Sequence, residues 1–367
     1  MTPNIRFEHE LHSWKEKGHS IQKKTRLEGG KGMTQWSPRR SFLGSASALG
    51  IAHFLGLSSN AMADPPLETT KLTLFENPIT CLAPHYVAKQ LLNDEGFTDV
   101  RYLKWPTETK NWAPEVFLSG EVDIGLLFVP SGLVHIDAGS PVVVLAGSHI
   151  GCVELIGGSS VKSARDLKGK RVAMTMPRSD EQIFISMLAA YVGVNTKDID
   201  WVLHPEGNHQ QLFQDGKIDA FMSGPPESIE LRRHKIGHVV ANITTDAPWS
   251  QYFCCLIAST KEFVSKHPVA TKRALRAILK AGDICSAEPS RVARLIADRG
   301  LASYENALQM FQEIPYGKWR QINAEDSLRF FALRMREIGY LKATPQKIIA
   351  DGTDWRFFNE LRRELKA

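Results

Sequence analysis

Apolar positions along the chain alternate between two periods, and the alternation predicts the same βαβ plan twice. Lys71–Glu76 alternates with period two and reads as a short strand, with Asn77-Pro78-Ile79-Thr80 as the turn behind it. From Ala83 to Asp94 the apolar residues Tyr86, Val87, Leu91 and Leu92 recur at helical spacing. Gly96 ends that helix, and residues 100–103 form the next strand. The plan returns with a strand at 171–174, a loop at Pro177-Arg178-Ser179-Asp180, a helix over 181–192 and a strand at 200–203. That helix is predicted from Ile183, Phe184, Met187, Leu188 and Tyr191, with Gly193 capping it.

Between the two plans, residues 141–146 are an unbroken apolar run, the pattern of a strand buried on both faces. A polar, glycine-rich turn is expected next at Gly147-Ser148-His149-Ile150-Gly151-Cys152, and the apolar run 153–156 marks the chain leaving its first half. Runs at 239–243 and 252–258 flank a polar stretch, and the second of them reads as the return to the first half. Amphipathic helices follow from Lys261 and from Pro289, and the tail through Leu328, Phe331 and Leu341 is helical as well.

One phrase occurs twice. Phe117-Leu118-Ser119-Gly120-Glu121-Val122-Asp123-Ile124-Gly125 runs on to Pro130, and Phe213-Gln214-Asp215-Gly216-Lys217-Ile218-Asp219-Ala220-Phe221 runs on to Pro226. Phe117 to Phe213 is 96 positions, and Gly, the β-branched residue, Asp and the closing Pro keep the same offset. Each copy reads as a helix end, a left-handed glycine and a buried strand stopped by proline, which leaves a loop at the strand's carboxyl end where ligands sit in open α/β sheets. Two such halves facing each other would set residues 128–132 opposite 224–227 across a cleft.

Charge changes the picture little. The 367 residues carry a net +5, but residues 1–63 hold nine Lys+Arg and four Glu, which leaves 36 basic and 36 acidic residues beyond them. A neutral body gives no electrostatic case for nucleic acid or an anionic membrane. The five cysteines, Cys81, Cys152, Cys254, Cys255 and Cys285, are odd in number and show no CxxC or Cys/His ligand spacing, so neither a metal site nor a cofactor is expected. Cys254-Cys255 reads as core packing.

The leader is more telling. Ser37-Pro38-Arg39-Arg40-Ser41-Phe42-Leu43 precedes a weakly apolar run to Leu57 and then Ala61-Met62-Ala63, the layout of a signal peptide that looks like a twin-arginine signal. Pro38 and Gly44 depart from that motif, which keeps a Sec route and an uncleaved anchor open, and Met33 is the preferred start. Export to the periplasm is therefore expected.

These features together resemble the solute-binding proteins of nitrate/sulfonate/taurine-type ABC importers, a group that includes binders of thiamine pyrimidine precursors. The resemblance rests on Leu118-Ser119-Gly120-Glu121-Val122-Asp123-Ile124, on the 161–172 phrase Val161-Lys162-Ser163-Ala164-Arg165-Asp166-Leu167-Lys168-Gly169-Lys170-Arg171-Val172, and on Gly216-Lys217-Ile218-Asp219-Ala220. It covers about residues 70–300. It implies an α/β, two-lobed periplasmic binding protein type II fold, each lobe a mainly parallel sheet flanked by helices, with two hinge crossings. The expected division is leader 1–63, lobe one 64–156, lobe two 157–250, and a return to lobe one with C-terminal helices at 251–367.

By the same resemblance the ligand loops fall at 77–80, with Asn77, Pro78 and Ile79; at 128–131, with Phe128 and Val129; at 149–153, with His149 and Cys152; at 177–181, with Arg178 and Ser179; at 224–227, with Pro225 and Glu227; and at 249–252, with Trp249 and Tyr252. Arg178 is either a bidentate partner for a ligand carboxylate or a surface partner of Asp180 or Glu181. Ser179 is a helix N-cap before it is a ligand contact. His149 is either a ligand contact or a satisfied hinge histidine. Phe128, Trp249 and Tyr252 either stack on a ring or pack the hinge. Glu227 caps a helix or accepts from a ligand N–H. Sulfonate and taurine binders tend to have small hydroxyl and glycine residues after the lobe-two strand, whereas this chain has Pro177-Arg178-Ser179-Asp180-Glu181, two acids that oppose a bound anion.

The expected function is capture of a small organic ligand, with an aromatic or amide-like portion and a carboxylate as an option, for delivery to the membrane permease of an ABC importer. A monomer without turnover is expected. Two alternatives stand beside it: a cofactor-dependent enzyme on the same fold, for which no GxSxG, HExxH or phosphate loop speaks, and the ligand-binding module of a sensory system.

Overall fold

A computed structural model describes residues 65–76, 80–104 and 119–365. The signal peptide, the Met33 start and the Asn77, Pro78 and Ile79 loop lie outside the described residues. In lobe one, β1 (Lys71–Glu76), α1 (Ala83–Asp94) and β2 (Asp99–Lys104) form the predicted βαβ unit. Strand β3 (Ile124–Phe128), helix α2 (Val129–Asp137) and strand β4 (Val142–Ile150) follow. The chain then crosses to lobe two, which holds β5 (Glu154–Gly157), β6 (Arg171–Met174), α3 (Asp180–Tyr191), β7 (Asp200–Leu203), α4 (His209–Gln214), β8 (Ala220–Ser223), α5 (Glu227–His234) and β9 (His238–Asn242). It returns through β10 (Phe253–Thr260) to lobe one.

The two sheets have matching layouts. Sheet one runs β2-β1-β3-β10-β4 and sheet two runs β7-β6-β8-β5-β9. In each, three parallel strands are joined to a fourth through one antiparallel strand, and that strand is the one that has just crossed over from the other lobe.

The duplicated phrase has a mechanical cause. Gly120 and Gly216 both sit at positive φ, 73° and 67°, where a side chain is strained. The aspartate three residues later then clasps the first strand of the βαβ unit in its own lobe, β1 or β6. Asp123 donates its N–H to the Thr73 carbonyl at 2.9 Å and accepts the Thr73 N–H on Oδ2 at 2.7 Å. Asp219 does the same with Arg171, at 2.7 and 2.9 Å. Each carboxylate thus satisfies a backbone donor where the parallel ladder is just beginning.

Two boundaries differ from the sequence reading. Residues 147–150 continue β4 and are not a turn, because Gly147 leaves room for the Phe253 ring, whose atoms lie 2.2 to 2.4 Å from where a Cβ would stand. Residues 154–156 belong to sheet two, so the first crossing is at 151–153 and lobe one ends before residue 156.

Beyond β10 come α6 (Lys261–Lys266), α7 (Pro268–Ala287), α8 (Pro289–Asp298), α9 (Tyr304–Glu313), α10 (Ala324–Glu337), α11 (Pro345–Gly352) and α12 (Arg356–Glu364). The stripe Ala270, Ala274, Ala277, Ile278 and Ala281 is fully buried where α7 packs on α1. Helix α10 serves the hinge: Ser327 Oγ accepts the Phe253 N–H at 3.1 Å.

Candidate functional site

The loops after β3 and β8 face each other across a cavity of about 240 Å³. Phe128, the N-cap of α2, and Ser131 form one side. Met222, Ser223, Gly224, Pro225 and Glu227 form the other, while Asp180 and Glu181 come from the first turn of α3 and His209 from α4. Cys81, Leu82, Leu126, Cys152, Val153 and Cys255 complete the walls.

The structure is closed across this cleft. The Ser131 N–H of lobe one donates to Asp180 Oδ1 of lobe two at 2.9 Å. Thr80 Oγ1 donates to the Pro225 carbonyl at 3.0 Å. Farther out, Asn306 Nδ2 donates to Glu230 Oε1 at 2.7 Å, and the Arg232 guanidinium meets both carboxylate oxygens of Glu313 at 3.0 and 2.6 Å. The two crossing segments are tied where the Cys152 N–H donates to Thr244 Oγ1 at 3.1 Å. Gly151 admits that approach, since a Cβ there would stand 2.2 Å from the same oxygen.

The wall contributed by lobe two is acidic. Asp180 is 7 % exposed. Burial, and then the neighbouring Glu181, push its carboxyl up to about 8, against the opposing bonds from Ser131. Burial raises Glu227 as well, against the Ser223 hydroxyl that donates to Oε2 at 2.6 Å, and repulsion from Glu230 adds to the rise. Burial lowers His209, whose Nε2 has no hydrogen-bond partner among the described residues. Thr175 Oγ1 donates to Glu181 at 3.2 Å. No Lys or Arg lines the cavity among the described residues.

Of the residues that sequence assigned to the cleft, Phe128, Cys152, Pro225 and Glu227 line the cavity. Val129 is fully buried in the lobe-one core. His149 is fully buried beside the cavity cysteines. Ser179 caps α3, accepting the Gln182 N–H at 3.4 Å. Arg178 turns away: its Nη2 donates to the Tyr340 carbonyl at 2.7 Å, and the guanidinium lies 5.1 Å from the centre of the Tyr340 ring. Trp249 packs against Phe184, Tyr191, Phe330 and Phe331, and Tyr252 stacks on Phe330 at 4.1 Å, so both aromatic residues are spent on the hinge. Sequence reasoning missed His209, Met222, Cys81 and Cys255, whereas the 177–181 loop it assigned to the ligand carries Asp180 and Glu181, which line the wall. Only the two acids had a readable signal, their position after β6.

Comparison with known proteins fits this architecture. Over 298 residues the chain is 24% identical to the nitrate/nitrite binding protein NrtA of Nostoc sp., an alignment spanning 73% of this chain and 67% of that one. Among solved structures, the periplasmic nitrate-binding protein NrtA from Synechocystis PCC 6803 superposes with a TM-score of 0.68 at 19% identity, covering 82% of this chain and 90% of that one. The alkanesulfonate-binding protein SsuA from Xanthomonas axonopodis pv. citri bound to MOPS gives 0.64 at 15%, covering 78% and 99%. The two-lobed α/β architecture is that of periplasmic binding proteins. The NMT1-like family model matches residues 65–299, the two sheets and the cavity included, and the chain belongs to the NMT1-like family.

Proposed function

We propose that this protein is an exported solute-binding protein that shuts on a small organic ligand rich in N–H donors or carrying positive charge, and hands it to the permease of an ABC importer. The observation that carries the reading is the wall of Asp180, Glu181, Glu227 and His209 with no basic side chain beside it among the described residues. An anion brought into that wall meets carboxyl groups with no cation beside them, whereas an amidine, an aminopyrimidine or a similar amino-heteroaromatic supplies N–H donors that carboxyl oxygens accept and, as a cation, favours the ionised form of the buried acids. Phe128, Leu82, Leu126 and Met222 provide apolar flanks for a flat ring. The aromatic and amide-like part of the sequence expectation fits this cavity. The carboxylate option loses its anchor, since Arg178 is committed to Tyr340.

Nitrate and alkanesulfonate, named for the relatives, are thereby disfavoured as cargo here. No helix among the described residues is long and apolar enough to cross a membrane. Release to the periplasm by the twin-arginine route, action as a monomer and absence of turnover complete the proposal. Unfolding midpoints measured with amidines, aminopyrimidines and aliphatic amines, beside nitrate, bicarbonate and alkanesulfonates, test it. A ligand held at a hundred times its Kd stabilises by about 2.7 kcal/mol. Stabilisation by an inorganic anion or a sulfonate, with none from the N–H donors, would overturn the reading.

A further inference from the structure

Four buried side chains with soft donor atoms converge on the lobe-one side of the cavity. Cys81 precedes α1, His149 is the penultimate residue of β4, Cys152 lies in the first crossing and Cys255 belongs to β10. Their donor atoms all lie within 4.8 Å of one another. A tetrahedral ion with metal–sulfur bonds of about 2.3 Å sets neighbouring sulfurs about 3.8 Å apart, so contraction by about 1 Å or less closes the cluster on a cation.

We propose that Cys81, Cys152, Cys255 and His149 form a binding site for one thiophilic d10 cation, Zn²⁺ or Cu⁺. The histidine supplies the independent observation. It is fully buried, its Nδ1 lies 3.3 Å from the Ile150 carbonyl, and its Nε2 has no hydrogen-bond partner among the described residues. Donation from Nδ1 to that carbonyl leaves a lone pair on Nε2, the arrangement by which a backbone oxygen orients a metal-binding imidazole. Cys254 is the fourth thiol nearby, 3.5 Å from Cys152 Sγ and 3.6 Å from both Cys255 Sγ and His149 Nδ1, but its Sγ donates to the Gly151 carbonyl. Three thiolates with one imidazole select soft d10 ions over Mg²⁺ or Ca²⁺, which take oxygen. Cys81, Cys152 and Cys255 face the cavity, which is the entry path. A cation held there would fasten the first crossing to β4 and β10. The site stands independently of which organic cargo the cavity takes.

The test uses the full chain, reduced and freed of metal, with no organic ligand added. Titration with Co²⁺ should give thiolate-to-metal charge-transfer and tetrahedral ligand-field bands that saturate at one equivalent. Displacement by Zn²⁺, and anaerobic competition for Cu⁺ against a chromophoric chelator, decide which ion binds tighter. Cys81→Ser and His149→Gln should each weaken uptake by more than about 100-fold, since even outer partners of metal ligands cost 10- to 100-fold. Cys285→Ser, buried in α7, should leave it unchanged. Substoichiometric Co²⁺ uptake, bands lacking thiolate charge transfer, or a Cys152–Cys254 disulfide in protein isolated without reductant would overturn the proposal, and the wild-type spectrum decides even if a variant fails to fold.

Discussion

Asp180 offers the sharpest test of the cavity's electrostatics. Its carboxyl titrates at about 8 in the fold against an ordinary 3.8. Between about pH 4 and pH 8 the folded chain holds a proton that the unfolded chain has released, so this group lowers stability as pH rises through that window. At 1.36 kcal/mol per pKa unit, the penalty is on the order of 1.5 kcal/mol at pH 5 and 4 kcal/mol at pH 7. Asp180→Asn keeps an acceptor for the Ser131 N–H, which lies 2.9 Å from Oδ1, and removes the titration. The variant should therefore be more stable than wild type by roughly 4–5 kcal/mol at pH 8 and by under about 2 kcal/mol at pH 5. Urea unfolding of ligand-free protein at pH 5, 7 and 8 measures the difference. A gap that does not grow with pH, or a variant less stable at pH 8, refutes the assignment of a buried neutral acid. The same substitution should weaken the N–H-donor ligand, because a group retained against stability is retained for binding.

Arg232→Met removes the bidentate contact with Glu313 that bridges α5 and α9, along with the Arg232 Nε contact to buried Glu154 Oε1 at 3.4 Å. Allowing for solvent screening, ligand affinity should fall about five- to tenfold as the closed state loses population, and scattering should report a larger ligand-free radius. Unchanged affinity and radius would remove these residues from the latch. Asp123→Ala and Asp219→Ala should each cost about 1–3 kcal/mol in chemical unfolding, because each leaves a backbone N–H of Thr73 or Arg171 without its acceptor. Equal wild-type and variant midpoints would mean that the duplicated aspartates are not clasps.

The fold was legible because its signals are local. Gly120 and Gly216, with the aspartates that follow, mark the same left-handed turn into a buried strand in both lobes, and the proline after each strand marks the cleft. The first crossing was misplaced because an apolar run such as 153–156 says that a strand is buried but not which sheet buries it. Gly147-Ser148-His149 looked like a turn because its fitness for a strand depends on Phe253, more than a hundred residues on. Site residues suffered the same loss. Arg178 had the chemistry of a carboxylate anchor, but its partner Tyr340 is 162 residues away in sequence. The cysteine and histidine cluster draws on four separate elements and leaves no spacing for a motif to record.

The placement of β10 also fixes an order of biogenesis. Lobe two is threaded from one continuous segment, 154–242, whereas β3 and β4 have no partner on their facing edges until residue 260 has left the ribosome. The half that is synthesised later is therefore the half that can finish first. Any nascent chain stalled between the two crossings carries two bare strand edges, the surfaces on which chains aggregate.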